Sequence, residues 1–390
     1  MVESKKPVLL LHKTHQRHKR LREVAEVLQA EVGDEVTIGV ALSLPNQRPK
    51  NAQRFLDGLS LDLRVIDPTI YACPSQLGTT CKTPSRLFPY MREPWPARPD
   101  RRLIHELFQQ QRGLGATVLL SPTGLIEASD PERELTTAFD WIREARDLEP
   151  AAEMMVNLTL DRSWLRTASL REHLLEEMVD SPETGWYLRV RWAAIKPPYS
   201  QQRDDDLLKG YQQLGQVARD EGKTLIYPTS GLTGWLASGL GASGFGSGTD
   251  ASAQAFAEAI DVRLPKGRRR PRIERYFEPA LLGIVDLATH RTLLGQHEYI
   301  TCDCPFCEEL DASNPNLDPS GWNGETASLH CLVQLGRLLS KLQGGDPQVE
   351  ARKEVERARD FYNAVTNSVP GSVAGNNRPL HLRAWGQVLQ

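Results

Sequence analysis

The stretch CDCPFC, residues 302–307, places three thiols within six residues, and the next histidine along the chain is His330. A Cys-x-Cys-x-x-Cys turn can wrap three thiolates around one ion, and a histidine on the following predicted helix, residues 325–342, can complete a tetrahedron. All four positions are then filled by protein, which leaves no place for an activated water. The motif predicts one structural Zn²⁺, held by Cys302, Cys304, Cys307 and His330.

The cysteine distribution favours a metal site over disulfides. The chain has six cysteines, and four of them cluster between residues 302 and 331, which in a reducing cytosol is typical of metal binding. Cys331 is an alternative fourth ligand, but neighbouring residues of a helix point about 100° apart, so only one of this pair can face the ion. We favour His330. The remaining alternatives are that the cysteines are unrelated core residues or that they have a redox role.

Short apolar runs alternate with helical patterns through the first 250 residues. Buried parallel strands read as continuous runs rich in Val, Ile, Leu and aromatic residues. Seven such runs and a glycine-rich eighth, GASGFGSG, alternate with helices. They predict an α/β fold, a (β/α)8 TIM-like barrel over residues 1–250, followed by a C-terminal zinc-binding helical extension over residues 251–390. A doubly wound open sheet is the alternative. The predicted strands are residues 8–12, 36–44, 61–67, 116–121, 153–159, 186–193, 224–228 and 241–248.

Amphipathic patterns and capping signals predict the helices. Pro131 suits the first position of one helix, and Ser169 with Glu172 reads as a capping box at the start of another. The extension is expected to end in two helices and then an irregular tail from Pro370. The predicted helices are residues 17–30, 131–147, 170–179, 205–221, 232–240, 325–342 and 348–365.

Composition limits the function classes. The net charge is −3, which argues against a uniformly basic nucleic-acid binder but allows a local basic patch. The first residues lack a signal-peptide pattern, and no apolar stretch approaches the roughly 18 residues of a membrane helix. We therefore expect a cytoplasmic protein without a membrane partner.

The cysteine motif, the histidine 23 residues after Cys307 and their position behind eight β/α units resemble the tRNA-guanine transglycosylase superfamily. This superfamily includes queuine and archaeosine tRNA-ribosyltransferases and relatives that insert 7-deazaguanine into DNA. The resemblance implies a barrel with a zinc subdomain, nucleic acid as partner, and exchange of guanine for a 7-deazaguanine in tRNA or DNA.

The resemblance also implies catalytic positions. Asp67, at the end of the third predicted strand, matches the acid/base aspartate of the family. The nucleophilic aspartate of the family follows a phenylalanine at the end of the last strand, but here Gly246 follows Phe245. Asp161 and Asp250 are candidate partners of Asp67.

The glycine at position 246 leaves two alternative functions open. One is a non-catalytic, zinc-stapled barrel that serves as a partner or scaffold subunit in a homodimer or hetero-oligomer. The other is a barrel enzyme that acts on a small phosphorylated metabolite and uses the glycine-rich residues 241–248 as a phosphate loop.

Two arginines alternate with apolar residues in the strand WYLRVRW, residues 186–192. This alternation places Arg189 and Arg191 inside the barrel, where buried cations need anionic partners. Asp67, Asp161 or a ligand phosphate would serve, so these arginines with Lys196 form either a substrate pocket or structural ion pairs.

The strongest basic run is KGRRRPR, residues 266–272. Clustered cations bind a phosphate backbone, and the following aromatics Tyr276 and Phe277 could stack on bases. A solvated flexible loop is the alternative. The residues predicted to contact nucleic acid are Lys266, Arg268, Arg269, Arg270 and Arg272.

Overall fold

A computed structural model provides the structure of the chain. It describes residues 6–13, 20–46, 48–73, 88, 90, 95–193, 195, 200–249, 254–258, 275–296, 299–311, 322 and 324–390.

The main sheet has nine strands, and all of its pairings are parallel. Their order is β3-β2-β1-β9-β8-β7-β6-β4, with β5 beside β6. Each of the eight predicted strands is present, although the fourth is reduced to two residues. The strands are Val8–Lys13 (β1), Thr37–Ser43 (β2), Leu63–Asp67 (β3), Leu119–Leu120 (β4), Leu125–Ile126 (β5), Met154–Asp161 (β6), Gly185–Arg191 (β7), Thr224–Tyr227 (β8) and Gly244–Gly248 (β9).

The sheet curls because its first strand pairs with its last. β1 lies between β2 and β9, and a parallel bridge between Val65 and Val118 brings β3 beside β4. Spatial neighbours therefore follow chain order, which suits a TIM-like barrel. A doubly wound sheet would instead reverse its strand order at a switch point.

Residues along each strand alternate between two buried clusters. Leu9 and Leu11 belong to the large cluster between the sheet and its helices, whereas Val8 and Leu10 belong to a small cluster enclosed by the curled sheet. This two-residue period is the pleat of the strand. The enclosed cluster also contains Ala41, Val65, Val118, Leu120, Met155, Tyr187 and Ile226.

The helices connect successive strands and then build the extension. No helix in the described part of the chain is both long and apolar enough to cross a membrane. The helices are Leu21–Val32 (α1), Pro49–Leu56 (α2), Arg101–Gly113 (α3), Pro131–Leu148 (α4), Ser163–Arg166 (α5), Ala168–Asp180 (α6), Asp205–Asp220 (α7), Gly231–Gly239 (α8), Leu287–Leu294 (α9), Pro305–Asp311 (α10), Gly324–Lys341 (α11), Pro347–Ser368 (α12) and His381–Val388 (α13).

Two predictions about the helices are wrong. Ser169 is not an N-cap, because α6 begins one residue earlier at Ala168 and Thr167 holds the cap position without a side-chain hydrogen bond. The tail after Pro370 is not entirely irregular. It contains α13, whose apolar face is buried and whose Trp385 Nε1 donates to the Gln202 carbonyl at 2.8 Å.

The extension packs directly against the main sheet and its helices. α11 lies on α1 at Gly336, where a Cβ would stand 2.3 Å from Leu28 Cδ2, and its Leu338 carbonyl accepts a hydrogen bond of 2.9 Å from Trp235 Nε1 of α8. An antiparallel hairpin, Arg275–Glu278 (β10) and Gly283–Asp286 (β11), precedes the cysteine turn. These contacts fix where the cysteines meet α11.

Replacing Gly244 with alanine should weaken the pairing of β9 with β1. A Cβ at this position would lie 2.3 Å from the Val8 carbonyl oxygen, and backbone cannot rotate away as a side chain can. We expect a loss of about 1–3 kcal/mol of unfolding free energy in urea denaturation. Gly113→Ala is the matched control, because no atom lies within 4 Å of its Cβ position. Equal stability of the two variants would contradict this pairing.

Candidate metal centre and barrel mouth

The cysteine turn and α11 bring four ligand atoms together. One ligand atom from each of the four predicted residues lies within 4.8 Å of the others. Inside the turn, Cys304 N–H donates to Cys302 Sγ at 3.4 Å and Cys307 N–H donates to the Cys304 carbonyl at 2.9 Å. The turn therefore directs all three sulfurs to the side that His330 faces.

The spacing of these atoms matches a metal tetrahedron. The distances from His330 Nδ1 to the Sγ atoms of Cys302, Cys304 and Cys307 are 3.7, 3.4 and 3.3 Å. Bond lengths of about 2.3 Å to sulfur and about 2.0 Å to nitrogen at tetrahedral angles give about 3.5 Å between sulfur and nitrogen. The cluster is compatible with a metal site.

The hydrogen bond on the other side of the imidazole sets its tautomer. His330 Nε2 lies 2.8 Å from the Phe277 carbonyl oxygen, and because a carbonyl only accepts, Nε2 carries the proton. Nδ1 then presents its lone pair to the sulfurs, as a metal ligand must. The hairpin strand β10 thus orients the histidine.

Neighbouring groups offset the charge of the thiolates. Gln334 Nε2 donates to Cys302 Sγ at 3.1 Å, and the Tyr276 hydroxyl lies 3.5 Å from Cys307 Sγ. The Tyr276 ring also stacks on His330, with ring centroids 4.3 Å apart. The suggestion that Tyr276 and Phe277 stack on bases is therefore wrong, because the hairpin buries both rings beside the cysteine cluster.

Cys331 does not join this cluster. Its side chain is buried in the core, and burial raises the pKa of its thiol to about 12. A neutral buried thiol is inert.

A second group of polar side chains lies at the carboxyl ends of the sheet strands. Asp67 of β3 and Arg189 of β7 form a buried ion pair across the enclosed space. Asp67 also accepts the Thr69 N–H at 2.7 Å, and Arg189 Nη1 donates to Thr159 Oγ1 at 2.9 Å. Both carboxylate oxygens of Asp67 are therefore engaged. Asp67 is thus one of the anionic partners that the sequence analysis suggested for Arg189.

Aromatic rings cover this ion pair. The Arg189 guanidinium lies 4.5 Å from the Tyr71 ring centroid, 5.4 Å from that of Tyr187 and 5.9 Å from that of Phe256. Tyr71 and Phe256 also contact each other edge to face at 5.1 Å. Rings stabilise a cation through their negative faces, and here they also shield the pair from water.

The His12 side chain occupies the space in front of Gly246. A Cβ at position 246 would lie 2.4 Å from His12 Nε2 and 3.2 Å from Pro228 Cα. Burial, together with the positive charge of Arg189, lowers the pKa of His12 to about 3. His12 is thus neutral, and its Nε2 has no hydrogen-bond partner among the described residues.

Asp161 and Arg191 form a second pair nearer to solvent. Arg191 Nη2 donates to Asp161 Oδ2 at 3.0 Å, and Ser163 donates through its N–H and hydroxyl at 3.0 and 2.6 Å to Oδ1. Burial opposes ionisation of Asp161, but hydrogen bonds from Ser163 and Arg191 outweigh it and hold the pKa below its ordinary value. This second pair was also anticipated.

Several predicted site residues lie outside the described part of the chain. They are Asp250, Lys196, Lys266, Arg268, Arg269, Arg270 and Arg272.

Sequence reasoning missed some residues of both sites. Thr159 could have been found from the two-residue period that places it beside Arg189 in the register of β6 and β7. Tyr71, Phe256 and Gln334 carry no local signal, because they reach their partners from distant segments. Comparison of the chain with protein-family models and with curated proteins gave no match.

Purified protein should contain about one equivalent of tetrahedral metal per chain by elemental analysis. Cys304→Ser and His330→Ala should lose the metal and lower the unfolding temperature, because each removes one of four ligands. Cys331→Ser, the adjacent cysteine, is the control and should retain full occupancy. Metal retained in Cys304→Ser or lost in Cys331→Ser would contradict the ligand set.

Breaking the ion pair between Asp67 and Arg189 should be costly. Arg189→Met leaves a buried carboxylate unpaired, and we expect about 3–5 kcal/mol less unfolding free energy in urea denaturation. The double variant Asp67→Leu/Arg189→Met removes both charges and should recover part of that loss. Additive losses in the double variant would show that the two charges do not interact.

Proposed function

We propose that this chain is a zinc protein of the tRNA-guanine transglycosylase type, built on a closed (β/α)8 barrel, that acts on or binds nucleic acid. The observation that supports it best is the Cys3His cluster, which follows the curled parallel sheet and its helices in the chain, as the resemblance expects. Neither feature alone carries the proposal, because barrels and zinc sites each serve many functions.

Zinc is the metal that this donor set suits. Three thiolates and an imidazole are soft to borderline ligands, and a closed tetrahedral set of this kind is characteristic of structural Zn²⁺. The ion would hold the cysteine turn on α11 through Cys302, Cys304, Cys307 and His330. It would supply folding energy and no catalytic water.

Nucleic acid is the proposed partner because of the basic run between residues 266 and 272. Five of its seven residues are Lys or Arg. Binding of such a cluster to a phosphate backbone releases counterions, so the affinity falls steeply with salt. Either tRNA or duplex DNA, met in the cytoplasm, fits this chemistry.

In base exchange, Asp67 would be the acid/base group, and Asp161 or Asp250 would assist it. The present contacts of Asp67 determine what must change before it can act as an acid or base. Its carboxylate is paired with Arg189, and the rings of Tyr71 and Phe256 lie over the guanidinium of that pair. A substrate base would have to displace these rings and take over the contact with Arg189.

A non-catalytic partner subunit, in a homodimer or hetero-oligomer, is the second candidate. Two observations favour it. His12 fills the space that an aspartate at position 246 would need, and the oxygens of Asp67 are already committed to Arg189 and Thr69. In that case the barrel would serve as a surface that binds a partner subunit.

The third candidate, a phosphate-binding enzyme that uses residues 241–248, is the least supported. The glycines of β9 have a packing explanation, because a Cβ at Gly244 would collide with β1 and one at Gly246 would collide with His12. A phosphate loop would instead leave backbone N–H groups facing an open space.

Mobility-shift titrations of tRNA and duplex DNA test the nucleic-acid proposal. We expect retardation that weakens steeply with salt and falls at least about tenfold in affinity for Arg268→Ala/Arg269→Ala/Arg270→Ala. A triple variant of exposed arginines elsewhere, Arg54→Ala/Arg98→Ala/Arg143→Ala, controls for net charge. Unaltered binding by the first variant would exclude that run as the contact.

Incorporation of labelled guanine into the same nucleic acids separates the first two candidates. Exchange that disappears in Asp67→Asn, with binding unchanged, supports an enzyme. Binding without exchange on any tRNA or DNA supports the partner subunit. If the protein neither binds these nucleic acids nor exchanges their guanine, the proposed nucleic-acid function is overturned.

A further inference from the structure

A cavity of about 380 Å³ lies where the loop after β7 meets the C-terminal tail. Its lining comes from residues 200–203, from Leu281, Gly283 and Ile284 of the hairpin, and from residues 375–381 before and within α13. We call the more accessible apolar side chains of this lining, Ile195, Ile284 and Leu380, its floor. Its size falls in the range of roughly 300–1,000 Å³ that small-molecule sites occupy. It is separate from the cysteine cluster and from the pair of Asp67 and Arg189, none of whose residues line it.

The charge of the lining has one sign. Arg203 and Arg378 line the cavity, and no aspartate or glutamate is among the fifteen described residues that line it. Both guanidiniums are exposed and form no ion pair with the described residues. Unpaired cations over a concave surface attract anions.

The nearest carboxylates along the chain are committed to other groups. Asp204 pairs with Arg166 at 2.9 Å and accepts the Leu207 N–H at 3.2 Å. Asp286 accepts the Asn377 amide at 2.6 Å and the Thr289 N–H at 2.8 Å. In the described part of the chain, neither carboxylate forms an ion pair with Arg203 or Arg378.

The floor of the cavity is apolar. Ile195, Ile284 and Leu380 contribute hydrocarbon surface. His381 also lines the cavity, and its Nε2 donates to the Leu282 carbonyl at 2.8 Å. Burial lowers the pKa of His381 to about 4, so the ring is neutral. A cavity that offers both apolar side chains and two cations suits a ligand with a flat apolar body and an anionic group.

We propose that this cavity binds an organic phosphate of nucleotide size, with its phosphate between Arg203 and Arg378 and its base on the floor of Ile284 and Leu380. Two planar guanidiniums match a dianionic phosphate better than they match a single carboxylate. A free nucleotide and the terminal nucleotide of a strand offer the same chemistry. The site does not depend on base exchange at Asp67.

Calorimetric titration of the full chain tests the site. Adenosine 5′-monophosphate is the probe, and adenosine and inorganic phosphate each lack one half of it. We expect the nucleotide to bind at least about tenfold more tightly than either. Arg203→Ala/Arg378→Ala should lose at least about tenfold in affinity for the nucleotide, whereas Arg54→Ala/Arg98→Ala, which removes two exposed arginines outside the cavity, should keep it.

The outcomes divide clearly. A tenfold loss confined to Arg203→Ala/Arg378→Ala supports the site, and tighter binding of a 5′-phosphorylated oligonucleotide would identify a strand end as the source. Equal affinity for inorganic phosphate would overturn the role of the apolar floor. No binding by the unaltered chain, or equal losses in both double variants, would overturn the site. Loss of nucleic-acid retardation in the variant of residues 268–270 leaves this result unaffected.

Discussion

The close approach of β9 to β1 is the constraint on which the architecture depends. Gly244 and Gly246 lie so near Val8 and His12 that a Cβ at either position would collide. This approach joins the last strand to the first, and the sheet curls as a result. The carboxyl ends of β3 and β7, which are distant in sequence, then face each other closely enough for Asp67 and Arg189 to pair.

The extension connects the cysteine cluster to that sheet through contacts of α11. Arg337 on α11 donates to Asp303 in the cysteine turn at 2.6 Å and to Glu31 on α1 at 2.7 and 2.9 Å. The same helix carries His330 and lies on α1 through Gly336. These are partly exposed ion pairs of modest worth individually, so apolar packing of α11 supplies most of the attachment. A metal in the cluster would fix the turn to a helix already seated on the sheet.

Much of this organisation was predictable from the sequence because its signals are local. Apolar runs marked seven of the eight predicted strands, and the Cys-x-Cys-x-x-Cys spacing marked the cluster. Alternation in residues 186–192 led to the acidic partners of Arg189 and Arg191. The features that the sequence did not predict depend on contacts between distant segments. Tyr71 and Phe256 reach Arg189 from separate loops, and the burial of Tyr276 follows from a hairpin that adjacent basic residues obscured. The tail helix α13 was missed because Gly, Asn and Pro surround a short amphipathic run.

The polar side chains at the carboxyl ends of the strands are compatible with a structural role and with a chemical role. A buried ion pair is rarely the most stable filling for a core, since apolar side chains of similar volume often do as well. The pair lies near His12, a neutral histidine whose Nε2 has no hydrogen-bond partner within the described part of the chain. Yet the committed oxygens of Asp67 and the ring of His12 against Gly246 remove both a free base and the space for a nucleophile. Base exchange at Asp67, as proposed, would therefore require these side chains to rearrange.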